Sequence, residues 1–198
     1  TPILKGKAND LKALGRMPRS FIPRMAPLIE LLSPSEGEAV DDSTSRFVHQ
    51  LRKHCPLYTI SVDLHAIPPA ARLRDGSLAL EAVFSHLRGV DLHFVPVFGF
   101  DHEPELWDRI VPVVHREGRG LTIRLKAEDL EAGDEILSEL IDRLKRGRIP
   151  AGATHLLIDL ASLAEVEEVD LVRLRDSCQD FIELAATAAD FQRISLVG

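Results

Sequence analysis

The sequence predicts an α/β fold, a parallel (β/α) barrel of the TIM type that is incomplete in this chain. Short apolar runs typical of strands alternate with longer amphipathic runs typical of helices. The apolar runs are nearly continuous in hydrophobic residues, as expected when helices cover both faces of a parallel sheet. Neither GxGxxG nor GxxxxGKS/T follows the first run, so a barrel is favoured over a dinucleotide-binding or P-loop fold.

Seven apolar runs predict strands. They cover residues 1–5, 25–32, 57–64, 92–100, 121–126, 154–160 and 193–198. A closed barrel of this type has eight strands and typically about 250 residues, and native sheets cover their edge strands. We therefore expect a single barrel domain over residues 1–198 that is the N-terminal part of a longer protein. Residues beyond 198, or another protein chain in an oligomer, would complete the barrel.

Six segments between the strands predict helices. They cover residues 9–15, 43–55, 77–89, 103–118, 132–147 and 168–191. Asn9 and Ser77 are residue types that cap helix N-termini, and Gly118 is placed to end the fourth helix. Pro112 lies inside that fourth segment and predicts either a kink or an early stop.

The composition is that of an ordinary globular protein, with 45% hydrophobic and 28% charged residues. The net charge of −7 disfavours nonspecific nucleic-acid binding, because such binding depends on the neutralisation of phosphates. No apolar run is long enough to span a membrane. The two cysteines, Cys55 and Cys178, have no metal-ligand neighbour at a suitable spacing. We expect both to be reduced thiols in a cytoplasmic protein, without a disulfide.

Charged residues lie near the carboxyl ends of five predicted strands. They are Lys5, Glu30, Asp63, Arg124 and Asp159. Active sites of (β/α) barrels are found at this end of the strands. The alternation of side chains along a strand is compatible with all five pointing into the mouth of the barrel.

These residue types suggest two chemical roles. The predicted catalytic residues are Glu30, Asp63 and Asp159, whose carboxylates suit acid–base work or, with a nearby histidine, a hard cation such as Mg²⁺ or Mn²⁺. The predicted substrate-binding residues are Lys5, Arg124 and His65, because cationic side chains hold phosphate or carboxylate groups. Two alternatives stay open. The charges pair with one another as a structural network, or Lys5 forms a Schiff base with a carbonyl substrate.

The remaining histidines add less to the prediction. His102 follows the fourth strand at the same end as His65, and both are candidates for proton transfer or metal binding. For His102 we favour the alternative, a side chain that faces solvent from a loop. His93 and His155 begin strands, at the end opposite the expected site. No Gly-x-Ser-x-Gly elbow is present, and neither cysteine has a plausible catalytic triad.

Four short motifs together resemble the phage-type "beta protein" family. They are "PILKGKANDLKAL" (2–14), "APLIEL" (26–31), "SVDL" (61–64) and "LLIDL" (156–160). Ala26 stands where that family usually has Thr, and the turn at 6–10 lacks the usual Gly-Glu pair. The resemblance implies a parallel βα barrel, a longer chain, and a phage-related or mobile-element setting linked to phage defence. By motif position it also implies that strand-end residues of the family correspond to Lys5, Glu30, Asp63 and Asp159. It implies no known reaction.

Two functions of different classes are compatible with these observations. The first is an enzyme that acts, with or without the help of a metal ion, on an anionic substrate, phosphorylated or nucleotide-like, at the strand ends. The second is a non-catalytic barrel that recognises a phage or host component through protein–protein contacts.

Overall fold

The computed structural model describes residues 1–163 and 168–198, and within them seven strands alternate with six α-helices. The strands are β1 (Ile3–Lys5), β2 (Leu28–Glu30), β3 (Thr59–Asp63), β4 (His93–Gly99), β5 (Leu121–Lys126), β6 (Thr154–Asp159) and β7 (Arg193–Val197). The helices are α1 (Ala8–Gly15), α2 (Val40–His54), α3 (Ala79–Gly89), α4 (Pro104–Glu117), α5 (Gly133–Gly147) and α6 (Glu168–Ala188). Short 3₁₀ helices cover Arg19–Arg24, Ala127–Ala132 and Ala151–Ala153.

The chain forms two compact units. The first contains Thr1–Phe98 and His102–Gly118, and the second contains Gly99–Asp101 and Arg119–Gly198. In the first unit β1, β2, β3 and β4 pair in chain order, all parallel. In the second unit β5, β6 and β7 do the same. The predicted fold class, an α/β fold of parallel strands as in an incomplete barrel, is confirmed. The prediction of one domain over residues 1–198 stays a prediction.

Each unit has its own apolar core. In the first unit the fully buried rings of Phe84 on α3 and Phe94 on β4 stack with their centroids 5.4 Å apart. In the second unit every residue of β6 is buried, and Leu156, Leu157 and Ile158 have no exposed surface. Such continuous burial is expected of a strand covered on both faces. Within the described residues, no helix is both long and apolar enough to cross a membrane.

The predicted strands agree with the observed ones to within a few residues, and the run at 121–126 matches β5 at both ends. Helix ends are where the sequence predictions fail. The early stop at Pro112, one of the two outcomes predicted there, is wrong, because α4 continues to Glu117. The helix buries Trp107, Ile110 and Val114, among others, and this burial offsets the loss of one backbone hydrogen bond. Gly118 ends α4 in the left-handed conformation, as predicted.

The two predicted N-caps are also wrong. Asn9 lies inside α1, whose N-cap position is Lys7 without a capping side-chain hydrogen bond, and α3 begins after Leu78. The hydroxyl of Ser77 donates instead to Asp75 Oδ1 at 2.6 Å, and its backbone N–H donates to the same oxygen at 2.9 Å. A nearby Asp side chain therefore forms a turn here in place of a serine cap.

Both cysteines are free and buried. Cys55 directly follows α2, and Cys178 lies on α6. Burial raises the pKa of the Cys55 thiol to about 12 and also raises the pKa of Cys178. Because the thiolate is the reactive form, both side chains behave as small apolar groups of the core.

The turn before β5 depends on a glycine. Gly120 has φ +89°, and a Cβ there would lie 2.1 Å from the carbonyl oxygen of Ala153. Gly118 has φ +63°, but a Cβ there meets nothing within 4 Å.

We predict that Gly120→Ala lowers the free energy of unfolding by more than about 2 kcal/mol, and Gly118→Ala by about 1 kcal/mol. Urea denaturation of both variants measures the difference, and equal losses would contradict the steric argument.

A buried histidine gives the second unit a pH dependence. Burial, and secondarily the nearby Arg193, lower the pKa of His155 to about 4, and its Nε2 lies 3.0 Å from Ser195 Oγ. Between pH 6.5 and 4 the unfolded chain therefore takes up a proton that the folded chain does not. We predict that the free energy of unfolding falls across this range as the pH is lowered, with up to about 3 kcal/mol due to this residue.

The variant His155→Gln isolates this contribution, because it lacks the titrating ring. The free energy of unfolding of the wild type minus that of the variant, measured by urea denaturation at several pH values, is expected to fall by up to about 3 kcal/mol as the pH is lowered from 7 to 4. A difference that stays constant over this range would show that His155 is not held neutral by burial.

Candidate functional site

The register of the first three strands aligns three ionisable residues. Lys5, Glu30 and Asp63 are the last residues of β1, β2 and β3, and they are Cα partners across the parallel ladder. Partners in adjacent parallel strands project their side chains to the same face. The three side chains therefore form one row at the carboxyl ends of these strands, which we call the strand-end row.

Backbone hydrogen bonds continue past the strand ends and fix this row. The N–H of Gly6 donates to the Glu30 carbonyl at 2.8 Å, and the N–H of Leu31 donates to the Asp63 carbonyl at 2.9 Å. A Cβ on Gly6 would lie 2.7 Å from the Glu30 carbonyl oxygen and 2.8 Å from the Phe47 ring. The chain can leave β1 this close to β2 because residue 6 has no side chain.

Lys5 and Glu30 form an ion pair between Nζ and Oε2. The Glu30 side chain is 2% exposed, whereas that of Lys5 is 56% exposed. The buried Glu30 carboxylate is thus neutralised by Lys5, while much of the lysine side chain remains accessible to solvent.

Asp63 is held by two histidines. Its Oδ1 accepts a hydrogen bond from the His65 backbone N–H at 3.0 Å and lies 3.1 Å from His65 Nδ1 and 3.7 Å from His102 Nε2. The two imidazole rings stack with centroids 5.6 Å apart. Burial on its own would raise the pKa of the Asp63 carboxyl, but the hydrogen bonds from His65 and the positive potential of both histidines bring it to about 2. Asp63 is therefore ionised at neutral pH. We call Asp63, His65 and His102 the Asp-His cluster.

The expectation that His102 faces solvent is wrong. Its side chain is only 2% exposed, against 41% for His65. The ring meets the edge of Phe98 at a centroid distance of 5.7 Å, because the turn after β4 brings the histidine back over the end of its own strand. The sequence offers one signal for the burial of His102, which is the aromatic residue Phe98 near the end of the preceding strand.

The remaining predicted site residues, Arg124 and Asp159, belong to the second unit and pair with each other. Arg124 Nε donates to Asp159 Oδ2 at 2.9 Å, and the side chains are 11% and 10% exposed. Asp159 Oδ1 also accepts the backbone N–H of Ala161 at 2.9 Å. A carboxylate can therefore end the apolar strand β6 because both of its oxygens are satisfied inside the protein.

A second ion pair at the end of β5 was missed by sequence reasoning. Lys126 Nζ lies 2.7 Å from Asp101 Oδ2, and this hydrogen bond raises the pKa of the lysine. Next to it in sequence, the ring of Phe100 lies under the guanidinium of Arg143, 5.4 Å from the centroid. The alternation of side chains could have indicated Lys126 as a site residue, because it is two residues beyond Arg124 and lies on the same face of the strand.

The buried pair of the second unit gives a stability prediction. Asp159→Asn leaves the Arg124 guanidinium without its countercharge and is expected to cost about 3–5 kcal/mol of unfolding free energy. The double variant Arg124→Met/Asp159→Leu removes both charges and is expected to recover most of that loss. Asp142→Asn, which removes an exposed partner of Lys145, is the control and should change stability by less than about 0.5 kcal/mol. Chemical denaturation measures the free energy of unfolding of each variant. A loss for Asp159→Asn that is no larger than the loss for the control would contradict the assignment of a buried ion pair.

Comparison with known proteins places the chain in a family. No curated protein matches the sequence. The family model described as Beta protein matches residues 1–198, which confirms the resemblance carried by the opening motif and the later strand motifs. The chain belongs to the Beta protein family.

Proposed function

We propose that the chain is a metal-assisted enzyme that acts on an anionic substrate, phosphorylated or nucleotide-like, bound at the carboxyl ends of β1, β2 and β3. The observation that carries this proposal is the strand-end row, in which a half-exposed lysine stands in register with two buried carboxylates. Parallel (β/α) folds bind their substrates at this end of the strands. The proposal includes the phage-related or phage-defence setting that the resemblance to this family implies.

Lys5 is the proposed anchor for the anion. Its ammonium group is a compact point charge that suits a phosphate group, and its pairing with Glu30 fixes its position at the end of β1. An incoming anion would share the ammonium with Glu30 and need not displace it, because a lysine ammonium has three donors.

The Asp-His cluster is the proposed reactive part of the site. Asp63 is ionised and fully buried, and it orients the partly exposed ring of His65. An imidazole held by a carboxylate is suited to proton transfer or metal binding near pH 7. The Arg124–Asp159 pair of the second unit fits the structural network that sequence reasoning left open, and the proposal does not depend on it.

A second candidate, recognition of a phage or host component by protein–protein contacts, is favoured by an apolar surface of the second unit. A cavity of about 480 Å³ is lined by residues of α6 and β7 and by the segment after β6, including Leu163, Leu174, Ile182 and Leu196. Leu171 and Leu196, which also line this cavity, are exposed. Apolar surface of this kind is typical of sites covered by another polypeptide, so we propose either another protein chain or further residues of this protein as its partner. The free thiols are compatible with a cytoplasmic location for either function.

Ligand-induced stabilisation tests the binding of an anion. We predict that inorganic phosphate or a member of a nucleotide panel raises the melting temperature of the wild-type protein, since a ligand that binds the native state stabilises it by mass action. The double variant Lys5→Met/Glu30→Gln, which removes both charges without leaving one buried and unpaired, should lose the shift. Lys145→Met, a change at an exposed lysine of α5, is the matched control and should retain it. No shift in the wild type, or an equal shift in the double variant, would contradict the proposed site.

A further inference from the structure

We propose that Asp63, His65 and His102 form the binding site of a divalent transition-metal ion. This inference rests on the proposed function and deepens it, because it names the ligands of the metal and the metal class. It differs from the sequence expectation, in which Glu30, Asp63 and Asp159 supply the carboxylates for Mg²⁺ or Mn²⁺.

The distances fit one small cation. One ligand atom from each of the three residues lies within 4.8 Å of the other two, and the Asp63 oxygen is 3.1 Å and 3.7 Å from the two imidazole nitrogens. Ligands about 2.0–2.2 Å from a first-row metal ion are separated from each other by about 3–3.6 Å. Small rotations of the side chains would therefore bring all three atoms into coordination range.

The backbone holds these residues in place. Asp63 ends β3, His65 lies in the loop that follows, and His102 lies in the loop after β4, the strand next to β3 in the sheet. Asp63 and His102 are buried, and Phe98 and the His65 ring pack against the His102 ring. A preorganised set of ligands needs little ordering when it binds an ion.

The donor set selects the class of metal. Two imidazoles and one carboxylate suit Zn²⁺, Mn²⁺, Fe²⁺, Co²⁺ or Ni²⁺, whereas Mg²⁺ prefers oxygen ligands and keeps much of its water. Three protein ligands also leave coordination positions open for water or substrate. The His65 ring is partly exposed, so solvent reaches the cluster at the strand ends, where Lys5 and Asp63 belong to the same row.

A simple hydrogen-bonded pair explains less of the geometry. An Asp63–His65 pair alone would account for one oriented imidazole. It does not account for a second, buried imidazole directed at the same carboxylate oxygen. The approach of both rings to Oδ1 is compatible with an ion shared by the three side chains.

Direct titration of the full-length, tag-free protein with metal tests the proposal. Isothermal titration with Zn²⁺ and Mn²⁺, and visible absorption with Co²⁺, are expected to show one ion per chain and binding of Mg²⁺ at least about 100-fold weaker. Asp63→Asn and His102→Gln should each weaken Zn²⁺ binding by more than about 10-fold, with circular dichroism confirming that the variants fold. His86→Gln, a change at an exposed histidine on α3, is the matched control and should bind as the wild type does.

The outcomes separate the metal site from the proposed function. Absence of one-to-one binding in the wild type, or undiminished binding by both folded ligand variants, would overturn the metal site. Metal binding without any anion-induced stabilisation would support the metal site and overturn the proposed substrate class. Anion-induced stabilisation that depends on Lys5, in a protein that binds none of the metals, would overturn the metal site and leave the proposed anion site standing.

Discussion

A carboxylate buried at the end of a parallel strand has to be matched by a cation or by hydrogen-bond donors, and the strand ends of this protein follow from that constraint. Desolvation of an unmatched charge would cost several kcal/mol. Glu30 is matched by Lys5, Asp159 by Arg124 and a backbone N–H, and Asp63 by two histidines. The three solutions differ chemically. Two are ion pairs with a permanently charged partner, and one uses imidazoles, which also bind protons and metals near neutral pH.

This difference is the reason why we propose the end of β3 as the reactive part of the site. A lysine or arginine locked to a carboxylate contributes structure and an electrostatic anchor. An ionised aspartate between two imidazoles offers lone pairs to a metal or orients a base. The pairing of adjacent strands places Asp63 in one row with Lys5 and Glu30, so the proposed anion anchor and the proposed reactive group share one face of the sheet. Membership of the Beta protein family assigns no reaction, so the chemistry has to be inferred from these residues.

Much of this organisation could be predicted from the sequence. Strands with continuous apolar stretches predicted the parallel fold, and side-chain alternation was compatible with Arg124 and Asp159 pointing to the same side. The alternation could not decide which charges pair, because a shift of one residue in register moves a side chain to the opposite face. Register here comes from backbone hydrogen bonds between distant segments, such as that from Gly6 to Glu30. The prediction that His102 faces solvent fails for a related reason. The burial of its side chain depends on the path of the turn after β4 and on its contact with Phe98. The helix starts failed locally, where Asp75 forms a turn with Ser77.

The most direct measurement is anomalous diffraction at the absorption edge of zinc or cobalt, from crystals of the protein grown with that metal. We predict one strong anomalous peak in each chain, about 2.0–2.2 Å from Asp63 Oδ1 and from one nitrogen each of His65 and His102. A structure with no peak at this position, and with the His65 ring still hydrogen-bonded to Asp63 in the presence of the metal, would contradict the proposed metal site. The cluster would then be a hydrogen-bonded support for the end of β3.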